Sequence, residues 1–413
     1  MRQALGTAAL GLAGLGLGLA AGALPAAAAG GAVLELSKSR LALALGLGLW
    51  TRALASGFAG SLVDRFGARR ALRNASAGSA AAAAGLGLLF LGGREGTLFV
   101  AVAVLHAAAC YFLAFAGPAA ARLNAVRLDP ALRGRHAGLY GALAFPAEFL
   151  ALPAGLWLGA RLPAAAFVFF PAAAALLALG AALIGPSEAR DEEPGPGLGE
   201  LRVLARRAQV LVPAALDGCA GAVRWGLLAW SAQFLSEVHQ VRPGGPLFLP
   251  ALASVAAGAC LGPAAGGFLS DKAFRGRRAP AAFVLFGIMA AALAGLGRAL
   301  EPASAVAFLG AACGAAFGVH ALLCGAAAMD AGGRRSAGAV SGLLDGVHHA
   351  AGGLSILLVG ALVDRGGWGS WTAVLLPFSL FGAAASLALT WLRAEARDPA
   401  PIEVQKTYSK PRR

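Results

Sequence analysis

The sequence predicts an all-α membrane protein of twelve transmembrane helices, arranged as two pseudo-symmetric six-helix halves. Three observations carry that expectation. The 413 residues are 58% hydrophobic and only 13% charged, with a mean hydropathy of +0.72, whereas soluble globular domains carry about 25% charged residues. Twelve apolar runs are long enough to cross a hydrocarbon core about 30 Å thick. Shifting the first six by 207 positions brings them nearly onto the last six. This composition excludes a soluble enzyme.

In chain order the runs are 4–28, 40–63, 71–92, 97–121, 136–160 and 164–185, then 209–235, 246–270, 280–297, 303–328, 338–363 and 371–392. The first has features of a signal peptide: Arg2, an apolar stretch and ALPAAAA at 23–29. Its repeat partner is the seventh run, so it belongs to the fold. Residues 1–185 form one half and 209–392 the other. The segment 186–208, rich in charge, Pro and Gly, is a linker whose later part reads as a surface helix. Residues 393–413 are a polar, basic tail.

The net charge of +14 is distributed by side. Of 34 Lys and Arg, 25 lie before the first run, in the tail, and in the even-numbered connections or at the run edges beside them; seven lie in odd-numbered connections or at the run edges beside them, and Arg52 and Arg224 lie deep inside runs. By the positive-inside rule both termini face the cytoplasm. The basic charge is thus topological and does not point to nucleic acid. The cysteines (Cys110, Cys219, Cys260, Cys313 and Cys324) are scattered through apolar runs, with no disulfide framework or metal motif. HExxH, GxSxG and CxxC motifs are missing, so neither enzymatic activity nor a cofactor is expected. The expected partners are the bilayer and a small solute, bound by a monomer.

After the second run comes GSLVDRFGARR (60–70) and after the eighth GGFLSDKAFRGRR (266–278), with Asp64 and Asp271 207 positions apart. Gly60 and Gly267 allow close helix approach. Asp64 can accept from N–H groups at a neighbouring helix start. Arg65, Arg69 and Arg70, with Lys272 in the second copy, can pair across to the other half. These turns therefore read as gates that hold one conformation.

Twelve spans with this motif resemble the major facilitator superfamily, and the first copy matches the family pattern at Gly60, Asp64, Arg65, Gly67, Arg69 and Arg70. The second copy carries Phe274 where the pattern has Gly. Within that superfamily, RWGLLAWSAQFLSEV (224–238), GGFLSDKAFRGRRAP (266–280) and SGLLDGVHHAAGGLSILLVGALVDRGGW (341–368) resemble the organophosphate:phosphate antiporters. The resemblance implies a major facilitator fold, exchange of organic phosphates or sugar phosphates, and a phosphate-binding role for Arg224. The family's second arginine would fall at Leu17, in a run with no basic residue. Its span-2 lysine falls near Ser56, one helical turn from Arg52, and its span-5 histidine near Ala147 and Glu148.

The internal ionisable groups support a midplane site independently. Arg52, Glu148, Asp217, Arg224, Asp345 and four histidines (His106, His320, His348 and His349) lie on runs 2, 4, 5, 7, 10 and 11. Such groups normally face a bundle interior and pair with one another. At about 1.5 Å per residue, Arg52, Glu148 and Arg224 lie roughly 16–23 Å from the cytoplasmic end and His348 about 15 Å. Arg224, Arg52 and His348 are therefore the candidate substrate ligands. Glu148, Asp345 and Asp217 are candidates for proton coupling or internal ion pairing, the two aspartates lying shallower. His106 and His320 read as helix-packing residues. The leading expectation is a secondary carrier of small organic anions working by alternating access. The alternatives are a proton-coupled carrier of another polar solute, and a carrier-like receptor or scaffold that no longer transports.

Overall fold

The computed structural model describes residues 10–13, 15, 38–91, 98–146, 179, 195–242 and 245–395. Most of the first, fifth and sixth expected spans, Glu148 and the tail beyond residue 395 lie outside these residues. The described chain is helical, with no strand among the described residues.

The helices are α1 (Lys38–Phe66), α2 (Ala68–Leu91), α3 (Leu98–Leu113), α4 (Ala116–Arg127), α5 (Arg133–Ala144) and α6 (Leu198–Ala205). They continue with α7 (Ala208–His239), α8 (Phe248–Phe268), α9 (Arg278–Leu296), α10 (Pro302–His320), α11 (Ala328–Gly366) and α12 (Gly369–Glu395). Seven helical segments among the described residues are long and apolar enough to cross a membrane; six of them follow one expected run each to within about six residues, and the other, Pro302–Gly366, takes in two expected runs. The expected fourth span is split into α3 and α4. Pro118 explains the break: it has no N–H to donate and its ring crowds the carbonyl four residues back, that of Ala114. Helix α6 is the helical part of the expected linker, and Leu201 and Leu204 rest on Ala339 and Leu343.

Turn chemistry explains the ends. Helix α1 stops at Gly67, whose φ of 97° suits glycine, and the Gly67 N–H returns to the Val63 carbonyl. In the second motif α8 runs on as a π-helical stretch, Leu269–Ala273, and the left-handed positions fall at Arg275 and Gly276. Phe274 can therefore stand where the first motif has glycine, because the turn is made two residues later. A break at Gly333 (φ 58°, ψ −154°) separates two straight parts of the chain within Ala328–Gly366.

Small residues set the packing. Helices α1 and α11 lie backbone to backbone: a methyl on Gly60 would strike the Gly338 carbonyl, and one on Gly342 the Ser56 carbonyl. Helices α8 and α10 meet likewise through Gly258 and Gly262 against Gly310 and Gly314. In lipid, where apolar side chains gain little by leaving hydrocarbon, such contact is what joins helices. Trp230 and Trp371, both fully buried, donate to the carbonyls of Ile356 and Gly226 and tie α7 to α11 and α12.

Candidate functional site

The two motif turns lie at the same end of the bundle, and each carboxylate reaches across to the other part of the chain. Asp64 accepts from the N–H groups of Gly338 (3.1 Å) and Ala339 (2.7 Å), early in the helix that follows Gly333. Asp271 accepts from the N–H of Arg135 (2.7 Å) in the first turn of α5. Both are acceptors placed on helix starts, where N–H groups lack partners and the helix dipole favours negative charge. The close glycines repeat the pattern, since Gly60 faces Gly338 and Gly267 faces Gly134.

Basic groups other than Arg65, Arg69, Arg70 and Lys272 stand at these carboxylates. Arg122 of α4 stands 3.7 Å from Asp64. Arg65 is exposed over its own Phe66, Arg70 and Lys272 are exposed, and Arg69 is half-buried. On the other side Arg278 bonds Asp271 (2.7 Å) and Asp330 (2.9 Å), and Arg133 reaches Asp330 (3.3 Å) and the Met329 carbonyl (2.9 Å). Gly195 packs on Asp64, so the linker joins this end as well. These contacts tie both motif turns to α4, α5 and α11 at that end of the bundle.

The other ionisable groups gather in the middle. Arg224 is 1% exposed, and its guanidinium lies against Phe317 (4.5 Å), Phe145 (5.0 Å) and Trp225 (5.2 Å). Its Nη1 is 3.3 Å from Nε2 of His348. Arginine only donates, so Nε2 of His348 accepts. The His348 proton then sits on Nδ1, which donates to the Asp217 carbonyl (3.0 Å) and lies 3.2 Å from its carboxylate. Asp217 also meets Nδ1 of His320, with both oxygens at 3.1 Å. The far nitrogen of that ring is 3.8 Å from Asp345. Asp345 accepts from the Ser56 hydroxyl (2.9 Å), has Arg52 Nε at 3.9 Å, and has Nδ1 of His349 at 3.3 Å.

One continuous chain of contacts therefore runs from Arg224 through His348, Asp217, His320 and Asp345 to Arg52, drawing on α7, α11, α10 and α1. Counting residues along separate helices put Asp217 and Asp345 shallower than the arginines; the structure sets all four in this chain. His320, expected as a packing residue, is its central link. The sequence carries no signal that singles it out; in the structure the helix passes from α to π geometry immediately after His320, at Ala321–Ala327, and such bulges often mark functional positions. His106 stays apart, against Cys110 at 3.7 Å.

A cavity of about 60 Å³ adjoins this chain, lined by Arg52, Asn124, Tyr140, His320, Cys324 and Asp345 among others. At roughly 10–15 Å³ per water it has room for a few waters. Arg224 and His348 are not on its wall; Phe145 and Phe317, stacked at 5.6 Å, cover the guanidinium. Asp217, His320 and Cys324 bring oxygen, nitrogen and sulfur within 4.8 Å of one another. Each already has a partner, His320 with Asp217 and the Cys324 thiol with Ser341, so the trio forms part of the hydrogen-bonded cluster.

Residues 7–356 match the family model described as Major Facilitator Superfamily. No curated protein matches the chain. Among solved structures it is similar to the crystal structure of the human organic anion transporter MFSD10 (TETRAN), with a TM-score of 0.68 and 16% sequence identity. The match covers 94% of this chain and 99% of that one. At this identity the likeness is one of fold.

Proposed function

Because the chain belongs to the major facilitator superfamily, a family of membrane transporters, we propose that it carries a small organic anion by alternating access. In this reading two halves, residues 1–185 and 209–392, rock about the central cluster. The linker 186–208, the tail 393–413 and both termini face the cytoplasm, so the closed basic end is the cytoplasmic gate. The observation that carries the reading is the pair of guanidinia, Arg52 and Arg224, held in the middle of an apolar bundle. A buried arginine in lipid is costly, and a planar two-pronged donor suits carboxylate or phosphate.

Arg52, on the cavity wall, meets the anion first. Arg224 becomes available when Phe145 moves off it, with His348 holding the guanidinium in place. The similar fold described as an organic anion transporter favours the same solute class. Within that class an organic phosphate or sugar phosphate, exchanged against another phosphate, uses both arginines best, since phosphate oxygens accept bidentate pairs.

Purified protein in liposomes is tested for uptake of inorganic phosphate, glycerol 3-phosphate, triose phosphate, glucose 6-phosphate and lactate, and of the neutral sugars glucose and galactose. Uptake of at least one, lost in Arg224→Ala, supports the reading. Uptake of neutral sugars alone refutes the anion assignment. Uptake of none in a well-folded preparation favours a receptor or scaffold.

A further inference from the structure

We infer that His320, between Asp217 and Asp345, is a proton-binding site and that its proton travels with the anion. The inference rests on the transport reading above and concerns a group that the arginines leave unused. Both nitrogens of the His320 ring face carboxylate oxygens: Nδ1 lies 3.1 Å from both oxygens of Asp217, and Nε2 lies 3.8 Å from Oδ1 of Asp345. A neutral imidazole has one N–H and one lone pair. With both carboxylates ionised, a neutral ring would point its lone pair at one of them. The arrangement is satisfied when the trio holds one further proton.

The surroundings leave His320 as the place for it. His348 is fixed as a neutral ring, because its Nε2 accepts from Arg224 and its Nδ1 donates to Asp217. Its ring lies only 3.9 Å from that of His320, which disfavours charge on both. The Nδ1 of His349 is engaged with the Asp345 carbonyl at 2.7 Å. The groups facing His320 are thus Asp217, Arg224 and His348, then Asp345, His349 and Arg52, with Cys324 and Tyr140 on the same cavity wall. Asp217 is sealed, whereas His320 and Asp345 both line the cavity and can exchange a proton with it.

The coupling comes from Arg52. Its Nε stands 3.9 Å from Asp345, so an anion taken up by Arg52 competes with that carboxylate. Asp345, losing its guanidinium, takes the proton from His320. The Nε2–H bond breaks, an O–H bond forms on Oδ1, the imidazolium becomes neutral imidazole and the carboxylate becomes a neutral carboxyl. No other bond changes. The anion is thereby bound to a site that keeps its proton, and by linkage each strengthens binding of the other.

The test uses the full chain in liposomes with inorganic phosphate, glycerol 3-phosphate and glucose 6-phosphate as probes. An inward proton gradient is expected to accumulate the transported probe. His320→Gln and Asp345→Asn are expected to lower the ratio of gradient-driven uptake to anion exchange at equal pH by tenfold or more. An unchanged ratio in both variants, or wild-type uptake indifferent to the gradient, overturns the proposal. A substrate-free arm separates it from the transport reading: infrared difference spectra across the histidine titration range should show an imidazolium change that His320→Gln removes and Asp345→Asn alters. If none of these three moves, their transport by this chain is refuted while this arm still decides the proton site, and no such spectral change rejects it.

Discussion

The contact of Asp64 with Gly338 and Ala339, proposed as part of a gate, gives the sharpest expectation. Its carboxylate holds two backbone N–H groups, those of Gly338 and Ala339, and has Arg122 at 3.7 Å. The Asp64→Asn side chain keeps one acceptor oxygen and places an NH₂ against the second N–H. One charge-assisted bond is lost and the other becomes neutral, which costs about 3 kcal/mol at roughly 1.5–3 kcal/mol per bond to a charged group. The site is nearly buried, so solvent does not screen the loss. If these contacts form only when the basic end is closed, the closed-to-open ratio falls about a hundredfold, at about 1.4 kcal/mol per tenfold. Cys324 on the cavity wall is a built-in reporter. With the other four cysteines replaced, a membrane-impermeant maleimide applied from the basic side should label Cys324 far faster in Asp64→Asn than in the parent. Transport should slow while substrate affinity stays within a few-fold. Unchanged labelling, or loss of substrate binding in a folded variant, would refute the gate assignment.

Arg224→Lys should lose most substrate binding, because lysine keeps the charge without the planar fork; equilibrium binding of the transported anion checks it, and near-normal affinity counts against a ligand role. In a double-mutant cycle, Arg52→Ala and Asp345→Asn should be strongly non-additive in melting temperature, as expected for groups in contact; additive effects would mean the pair is not coupled. Gly314→Val should lower thermal stability by about 1–3 kcal/mol or abolish folding, since the added atoms meet the backbone of Gly258. Wild-type melting would place α8 and α10 farther apart than described.

Most helices were legible because a bilayer leaves few options: a spanning segment must satisfy its own backbone and be apolar for about 20 residues. The repeat offset similarly exposed Asp64 and Asp271 as a pair, and the expectation that Asp64 would accept from a helix start matches its contacts with Gly338 and Ala339. Their basic partners were hidden. Arg122, Arg133 and Arg278 look like ordinary loop charges, and only the tertiary fold brings them to Asp64, Asp330 and Asp271. The split of the fourth span was readable in principle from Pro118, but runs of hydropathy ignore the missing N–H.

The central cluster shows where one-dimensional reasoning stops. Depth along a helix places each residue on its own axis and says nothing of how far each helix slides or bends. Asp217 and Arg224 are seven residues apart, two turns of one face, so Asp217 lies below Arg224 along α7. His348 closes that interval, touching Arg224 with one nitrogen and Asp217 with the other. His320 then extends the contact to Asp345, which no spacing on a single helix could reveal. The two arginines are consequently not an isolated cationic pocket. They are the ends of a chain whose interior holds two carboxylates and the histidine between them, so in the proposed carrier an anion arriving at Arg52 would perturb Asp345 before it could reach Arg224. The proposal thus makes substrate binding and the charge state of that interior one event.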